Sequence, residues 1–178
     1  MSISLLLEMA ASTNPDRTAL VSGEMRLTTG ELSALADGGA GVIAATGASH
    51  VAYVGLGGDM LPLLLFASAR AGVAFTPLNY RLSGDGLREL IDRLPQPLVV
   101  ADAEYLDVVA GAGKQLIESR EFIAAARTAE PAAEFPNPED VGVVLFTSGT
   151  TSRYSASAIT SGVGRRLINC RRPSSLSR

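Results

Sequence analysis

Val143-Val144-Leu145-Phe146-Thr147-Ser148-Gly149-Thr150-Thr151-Ser152 decides how the rest of the chain is read. The first residues form an apolar run of strand type, and the last ones form a loop of hydroxyl and glycine residues. A strand that passes directly into such a loop presents backbone N–H groups and hydroxyls to an anion, above all to a phosphate. Gly149 lets the backbone approach an oxygen closely. Hydroxyl donors to an anionic oxygen make stronger hydrogen bonds than neutral pairs do. The candidate phosphate-binding residues are therefore Thr147, Ser148, Gly149, Thr150, Thr151 and Ser152. The loop is not of Walker A type, because no Gly-Lys-Ser/Thr follows at the required spacing. Nor is Ser148 a hydrolase nucleophile, because Phe146 stands where that elbow requires glycine.

Upstream of this stretch, strand and helix patterns alternate. Residues 3–13 carry helix-favouring leucines and end at Asn14-Pro15, a turn signal. Segments 18–21 and 25–28 flank Ser22-Gly23-Glu24 and predict a β-hairpin. Thr28-x-x-Glu31 is a capping box, so a helix is expected from there to about residue 45, closed near Gly47. Gly38, Gly39 and Gly41 weaken that helix but permit close packing. A short apolar strand, 51–54, turns through Gly55-Leu56-Gly57-Gly58 into a helix over 59–71. Asp59 is expected to cap that helix and Gly72 to stop it, and its nearly all-apolar surface predicts burial. A strand over 73–76, a helix over 83–94 and a strand over 98–101 follow, whereas 102–114 shows no clear pattern. A strand over 115–118, a helix over 119–129, a linker over 131–138 and a strand over 141–146 complete the series. The alternation predicts an α/β fold, a mostly parallel sheet flanked by helices. Residues 153–178 have neither period, are rich in serine and arginine, and are expected to form a disordered tail.

The chain has 178 residues and 47% hydrophobic content, enough for one domain with a sizeable core. The longest apolar run, 60–69, contains Pro62 and is too short to span a bilayer. Residues 1–11 lack a basic leader and are interrupted by Glu8, so no secretory signal and a cytoplasmic location are expected. One cysteine, Cys170, and one histidine, His50, exclude an internal disulfide framework and a His/Cys metal cluster. His50 is read as a strand-edge residue, since no nucleophile accompanies it. Asp102 and Glu104 are read as solvated carboxylates at a strand end. Gly55-x-Gly57 hints at a dinucleotide fingerprint, but Met60 occupies the third glycine position and a plain strand-to-helix turn is the better reading. All 18 acidic residues lie at or before Asp140, whereas Arg153, Arg165, Arg166, Arg171, Arg172 and Arg178 make the tail basic. That tail has no interleaved aromatic residues and no amphipathic face, so it is not read as a nucleic-acid-binding arm.

The string Thr147-Ser148-Gly149-Thr150-Thr151 resembles the phosphate-binding signature of the AMP-forming adenylating enzymes, which continues with Gly-x-Pro-Lys. Acyl-CoA synthetases, peptide-synthetase adenylation domains and luciferases make up that superfamily. The segment Ala69-Arg70-Ala71-Gly72-Val73-Ala74-Phe75-Thr76-Pro77-Leu78-Asn79-Tyr80-Arg81-Leu82 is similar to a second segment of the same family, and Asn14-Pro15-Asp16-Arg17-Thr18-Ala19-Leu20 with Leu27-Thr28 and Glu31-Leu32 is similar to its opening. The resemblance covers residues 1–152 and then fails: Ser152 stands for glycine, Tyr154 for proline and Ser155 for lysine.

The resemblance implies that 1–152 is the N-terminal part of the large domain of an adenylating enzyme, cut inside its phosphate loop, with 153–178 an out-of-frame tail. It implies a ligase, with fatty-acid or other acyl-CoA synthetases favoured. Such enzymes use ATP with Mg²⁺ to form an acyl-adenylate from a carboxylic acid, then pass the acyl group to coenzyme A. In them the loop holds the β and γ phosphates, while the nucleoside contacts, the Mg²⁺ ligand, the acyl pocket and the catalytic lysine all lie downstream. No catalytic or metal-binding residue is therefore assigned in this chain, and no productive binding of these cofactors and no activity are expected of it alone. The strand over 141–146 is expected to present an open edge. The alternative is a non-enzymatic truncated module that binds a nucleotide, or a partner such as an intact paralogue.

Overall fold

A computed structural model describes residues 3–113, 115–132, 141–147, 155–160 and 165–166. The chain opens with helix α1 (Ile3–Thr13) and a hairpin of β1 (Thr18–Ser22) and β2 (Met25–Thr28). Gly23 turns this hairpin at φ 57°. Helix α2 (Thr29–Thr46) starts at the expected capping box: the Glu31 N–H donates to Thr28 Oγ1 and the Thr28 N–H donates to Glu31. It ends at Gly47, which adopts the left-handed conformation, φ 66°.

Three strand–helix units follow. They are β3 (His50–Val54) with α3 (Met60–Arg70), β4 (Ala74–Leu78) with α4 (Gly84–Ile91), and β5 (Pro97–Ala101) with α5 (Leu106–Val109). A 3₁₀ turn, Ala103–Tyr105, occupies part of the stretch that shows no pattern in the sequence. Then come β6 (Gln115–Glu118), α6 (Ser119–Ala126) and β7 (Val141–Thr147). Asp59 differs from expectation: it precedes α3 in a helical conformation and makes no side-chain capping bond. The turn before it is shaped instead by Gly57 and Gly58, both at positive φ.

The sheet order is β6-β5-β3-β4-β7, all parallel, continued by antiparallel β8 (Ser155–Thr160) and β9 (Arg165–Arg166). Every residue of β3 and β5 is buried, as parallel strands covered on both faces must be. Successive residues feed opposite layers. Val51, Tyr53, Leu98 and Val100 pack with Leu35, Leu63, Leu64 and Phe122 of α2, α3 and α6. Ala52, Val54, Val99 and Ala101 pack with Leu87, Leu90 and Val109 of α4 and α5.

β8 and β9 depart from the expected tail without regular structure, and β8 covers the edge of β7 expected to stay open. The unpaired N–H and C=O groups of an edge strand are a template for any proline-free neighbour, and Ser155-Ala156-Ser157-Ala158-Ile159-Thr160 supplies one. The other residues of 153–178 lie outside the described ones.

The glycines of α2 are the packing surface for α6. A Cβ on Gly38 would lie 1.8 Å from the Ala126 carbonyl oxygen, and one on Gly41 would lie 1.9 Å from that of Glu130. Across the other side of the helix pair, buried Arg70 of α3 donates to Ser33 Oγ (2.9 Å) and meets Asp37 at 2.8 Å, fixing α3 against α2.

Gly38→Ala gains about 1 kcal/mol of helix propensity. Because backbone rather than a flexible side chain must give way, we expect overpacking to win, with a net loss of about 2 kcal/mol in urea unfolding. His50, at the start of β3, is buried with Nε2 2.6 Å from Thr76 Oγ1, and burial pushes its imidazole down from 6.5 to about 4. The unfolded chain takes up this proton first as pH falls. Stability contributed by neutral His50 is therefore complete above pH 6.5 and is lost between 6.5 and about 4. The total is on the order of 3 kcal/mol. Urea titrations at pH 7, 6 and 5 should show that slope in the wild type and lose it in His50→Gln.

Candidate phosphate-binding edge

Parallel pairing brings the C-terminal ends of β3, β4, β5, β6 and β7 to one edge of the sheet. Residues 55–59 leave β3 there, 79–82 leave β4, and 102–105 leave β5. Neighbouring strands send their chains to opposite faces: β3 leads to α3 in one layer, while β4 and β5 lead to α4 and α5 in the other. That divergence opens the crevice in which open α/β sheets bind ligands.

Thr147 closes β7 at this same edge, in register with Ser155 of β8. β7 joins the parallel set through Val143 beside Phe75 of β4. Strand spacing then places Thr147 roughly 10 Å from the end of β3. Thr147, the first of the candidate phosphate-binding residues, therefore ends β7 at the edge where open α/β sheets bind ligands. Ser148, Gly149, Thr150, Thr151 and Ser152 lie outside the described residues.

Two features of the edge have no counterpart in the sequence reading. The first is Asp102, which is no solvated carboxylate. Its Oδ2 accepts the Leu56 N–H at 2.9 Å, its Oδ1 accepts the Ser119 hydroxyl at 2.6 Å, and the Tyr53 phenol donates to it at 3.1 Å. The phenol oxygen in turn accepts the Gly57 N–H at 3.2 Å. Burial, helped by the charge of Asp102, raises the Tyr53 phenol above its ordinary value of 10.0. Gly55 makes room for this cluster: a Cβ there would stand 2.2 Å from Asp102 Oδ2 and 2.3 Å from the Tyr53 hydroxyl.

The second is Arg81, exposed after β4, its guanidinium carbon 5.6 Å from the centre of the Tyr80 ring. Tyr80 also meets Tyr105, with ring centres 5.9 Å apart. Asn79 Oδ1 holds the Arg81 N–H at 3.0 Å. This cation favours an anionic ligand at the edge. Asp102 gave no signal because its partners are 17 to 49 positions away.

Among the described residues no group of three or more His, Cys, Asp or Glu side chains is placed to hold a metal ion. Asp102 is committed to its three donors, so the described part of the edge does not build a Mg²⁺ site. Nor is any described helix long and apolar enough to cross a membrane. A cleft of about 280 Å³ lies away from this edge, between α2 and α6, lined by Leu27, Glu31, Ala34, Leu35, Ala126 and Arg127.

Among the described residues the five parallel strands form an open α/β sheet, and Thr147 ends the last of them at the edge where their C-terminal ends gather. The AMP-binding enzyme family matches residues 7–154, and the chain belongs to that family. It is 25% identical over 180 residues to an indoleacetate–CoA ligase of Aromatoleum aromaticum, a match covering 91% of this chain and 35% of that protein. A feruloyl-CoA synthase of an Amycolatopsis species is 31% identical over 158 residues, covering 85% of this chain and 32% of its own length. The fold matches a Mycobacterium tuberculosis fatty acyl-CoA synthetase with a TM-score of 0.78 at 22% identity, over 90% of this chain and 34% of that one. The chain thus spans about a third of the length of these relatives.

Gly55→Ala drives a methyl group into the Asp102–Tyr53 cluster. We expect a loss of about 2–3 kcal/mol, because a hydrogen-bonded buried group is displaced as well as overpacked. Chemical denaturation checks this; Gly55 is not at positive φ, so the loss reads the contact and not backbone strain.

Proposed function

We propose that residues 1–152 are the opening part of the adenylate-forming domain of an ATP-dependent acyl-CoA ligase, and that this chain by itself is inactive. The observation that supports the reading is Thr147, which ends β7 where the C-terminal ends of the parallel strands gather and is followed in the sequence by Ser148-Gly149-Thr150-Thr151. In the proposed intact reaction a substrate carboxylate attacks the α-phosphate of ATP. An acyl-adenylate forms and pyrophosphate leaves. The thiol of coenzyme A then attacks the acyl carbon, giving the thioester and releasing AMP.

The physical obstacle in the first step is repulsion between the carboxylate and the triphosphate. Donors at Thr147, Ser148, Gly149, Thr150, Thr151 and Ser152 would offset it at the β and γ phosphates. Mg²⁺, when bound, supplies further neutralisation of the phosphate oxygens. Arg81 adds a positive charge to the same edge.

Inactivity follows from what stands where the family's loop lysine is expected. That position is Ser155, whose backbone pairs opposite Thr147 in the β7–β8 ladder. The nucleoside contacts, metal ligand and acyl pocket implied by the resemblance have no counterpart among residues 1–152. We assign 153–178 to an out-of-frame extension and the chain to the cytoplasm.

A second reading is a non-enzymatic module that binds a nucleotide or an intact paralogue. The pairing of β8 along β7 favours it, since that pairing covers an otherwise open edge.

Homogeneous chain incubated with MgATP and a panel of carboxylic acids should produce no acyl-AMP and no pyrophosphate above a protein-free blank. Acyl-AMP formation would overturn the inactive assignment. Titration calorimetry with MgATP, and co-purification with an intact synthetase, separate the second reading from an inert chain. Translation of the coding DNA in all frames after Ser152 tests the extension: another frame continuing with proline and lysine supports it.

A further inference from the structure

We propose that the Asp102 carboxylate is a latch that sets the position of residues 55–58 at the ligand edge, so that this segment opens as a unit separate from global unfolding. The functional meaning of the latch rests on the phosphate-edge reading above. The latch itself rests on geometry alone.

One carboxylate joins three consecutive chain exits. Asp102 leaves β5, its own N–H donating to the Val54 carbonyl of β3 at 3.0 Å. Its oxygens take the Leu56 N–H from the segment after β3 and the Ser119 hydroxyl from the start of α6. Through Tyr53 it also governs the Gly57 N–H. Two of the four backbone N–H groups of 55–58 therefore depend, directly or through one phenol, on a single side chain.

Little else anchors the segment. Leu56 is 64% exposed. Gly57 and Gly58 stand at φ 94° and 60°, a region glycine enters freely. Beyond the latch, the Met60 N–H donates to the Gly57 carbonyl at 3.3 Å, and a Cβ on Gly57 or Gly58 would meet Leu61 at 3.0 Å or the Ser22 hydroxyl at 2.7 Å. A segment with few buried apolar contacts and a localised set of hydrogen bonds has the makings of a low-stability opening unit.

A carboxylate at an edge that receives phosphates would ordinarily oppose them. Its charge here is engaged by three donors, which lets it serve as an anchor for the wall of the crevice. Release of the latch would free the wall beside the crevice without disturbing β3 or β5, whose residues are buried throughout.

Amide hydrogen exchange of the whole chain, read residue by residue by NMR, tests this. In Asp102→Ala the Leu56 and Gly57 amides should exchange at least tenfold faster, while Val99 and Val100 of β5 keep their wild-type rates. Tyr53→Phe, which retains the buried ring, should accelerate Gly57 and leave Leu56 within about threefold of wild type. Asp102→Asn should fall between wild type and Asp102→Ala. Equal acceleration of Leu56, Gly57, Val99 and Val100 in Asp102→Asn and Tyr53→Phe would overturn the proposal, because the latch would then be part of the global fold. Unchanged Leu56 and Gly57 rates in Asp102→Ala would overturn it as well. Absence of MgATP binding by the wild-type chain would count against the phosphate-edge reading and leave the exchange result standing.

Discussion

β3 is the strand around which the other elements are arranged. It is paired on one side with β4 and on the other with β5, and all five of its residues are buried. A strand in that position leaves neither a face nor an edge to water, so it persists only if both faces are packed at once. The two layers of helices follow from this requirement. Parallel pairing adds a second one: each crossover has to return the chain to the starting end of the sheet, and α3 and α4 do so on opposite faces. The gathering of every strand end at one edge, and with it the location of the candidate phosphate site, is a consequence of that pairing direction.

Close approach in this molecule is achieved by missing side chains. α2 meets the backbone of α6 at Gly38 and that of the segment after α6 at Gly41, and the Asp102–Tyr53 cluster fills the space a side chain on Gly55 would need. These contacts differ in kind. The α2–α6 contact is a packing matter between two covering helices. The Gly55 contact lies at the strand-end edge, where the half-buried Asp102 carboxylate finds partners in Tyr53, Leu56 and Ser119, so the glycine that follows β3 admits the group that holds the turn.

The family match ends at residue 154, within the seven positions that separate the paired residues Thr147 and Ser155. After that point the chain pairs along β7 instead of continuing the family's signature. A sheet edge accepts such a neighbour on backbone grounds alone, since ladder hydrogen bonds demand little of the side chains. This is why a segment without strand periodicity forms β8.

Elements whose stabilising partners lie nearby in the chain were legible in advance. The Thr28–Glu31 capping box, the Gly47 stop and the Gly23 turn involve residues three or fewer positions apart, or one residue's own backbone freedom. The alternation of short apolar runs with amphipathic or apolar helices set the α/β class for the same reason. Asp59 was misread because a capping residue type guarantees a donor's partner only if the backbone ahead of the helix is extended, and here it is helical. The tertiary structure alone decided strand order, the layer each helix covers, the pairing of β8, and the conversion of Asp102 from a surface carboxylate into the junction of three chain exits. Those outcomes depend on contacts between distant positions, Asp102 with Tyr53 and Phe75 of β4 with Val143 of β7 among them, and no local pattern encodes a contact of that range.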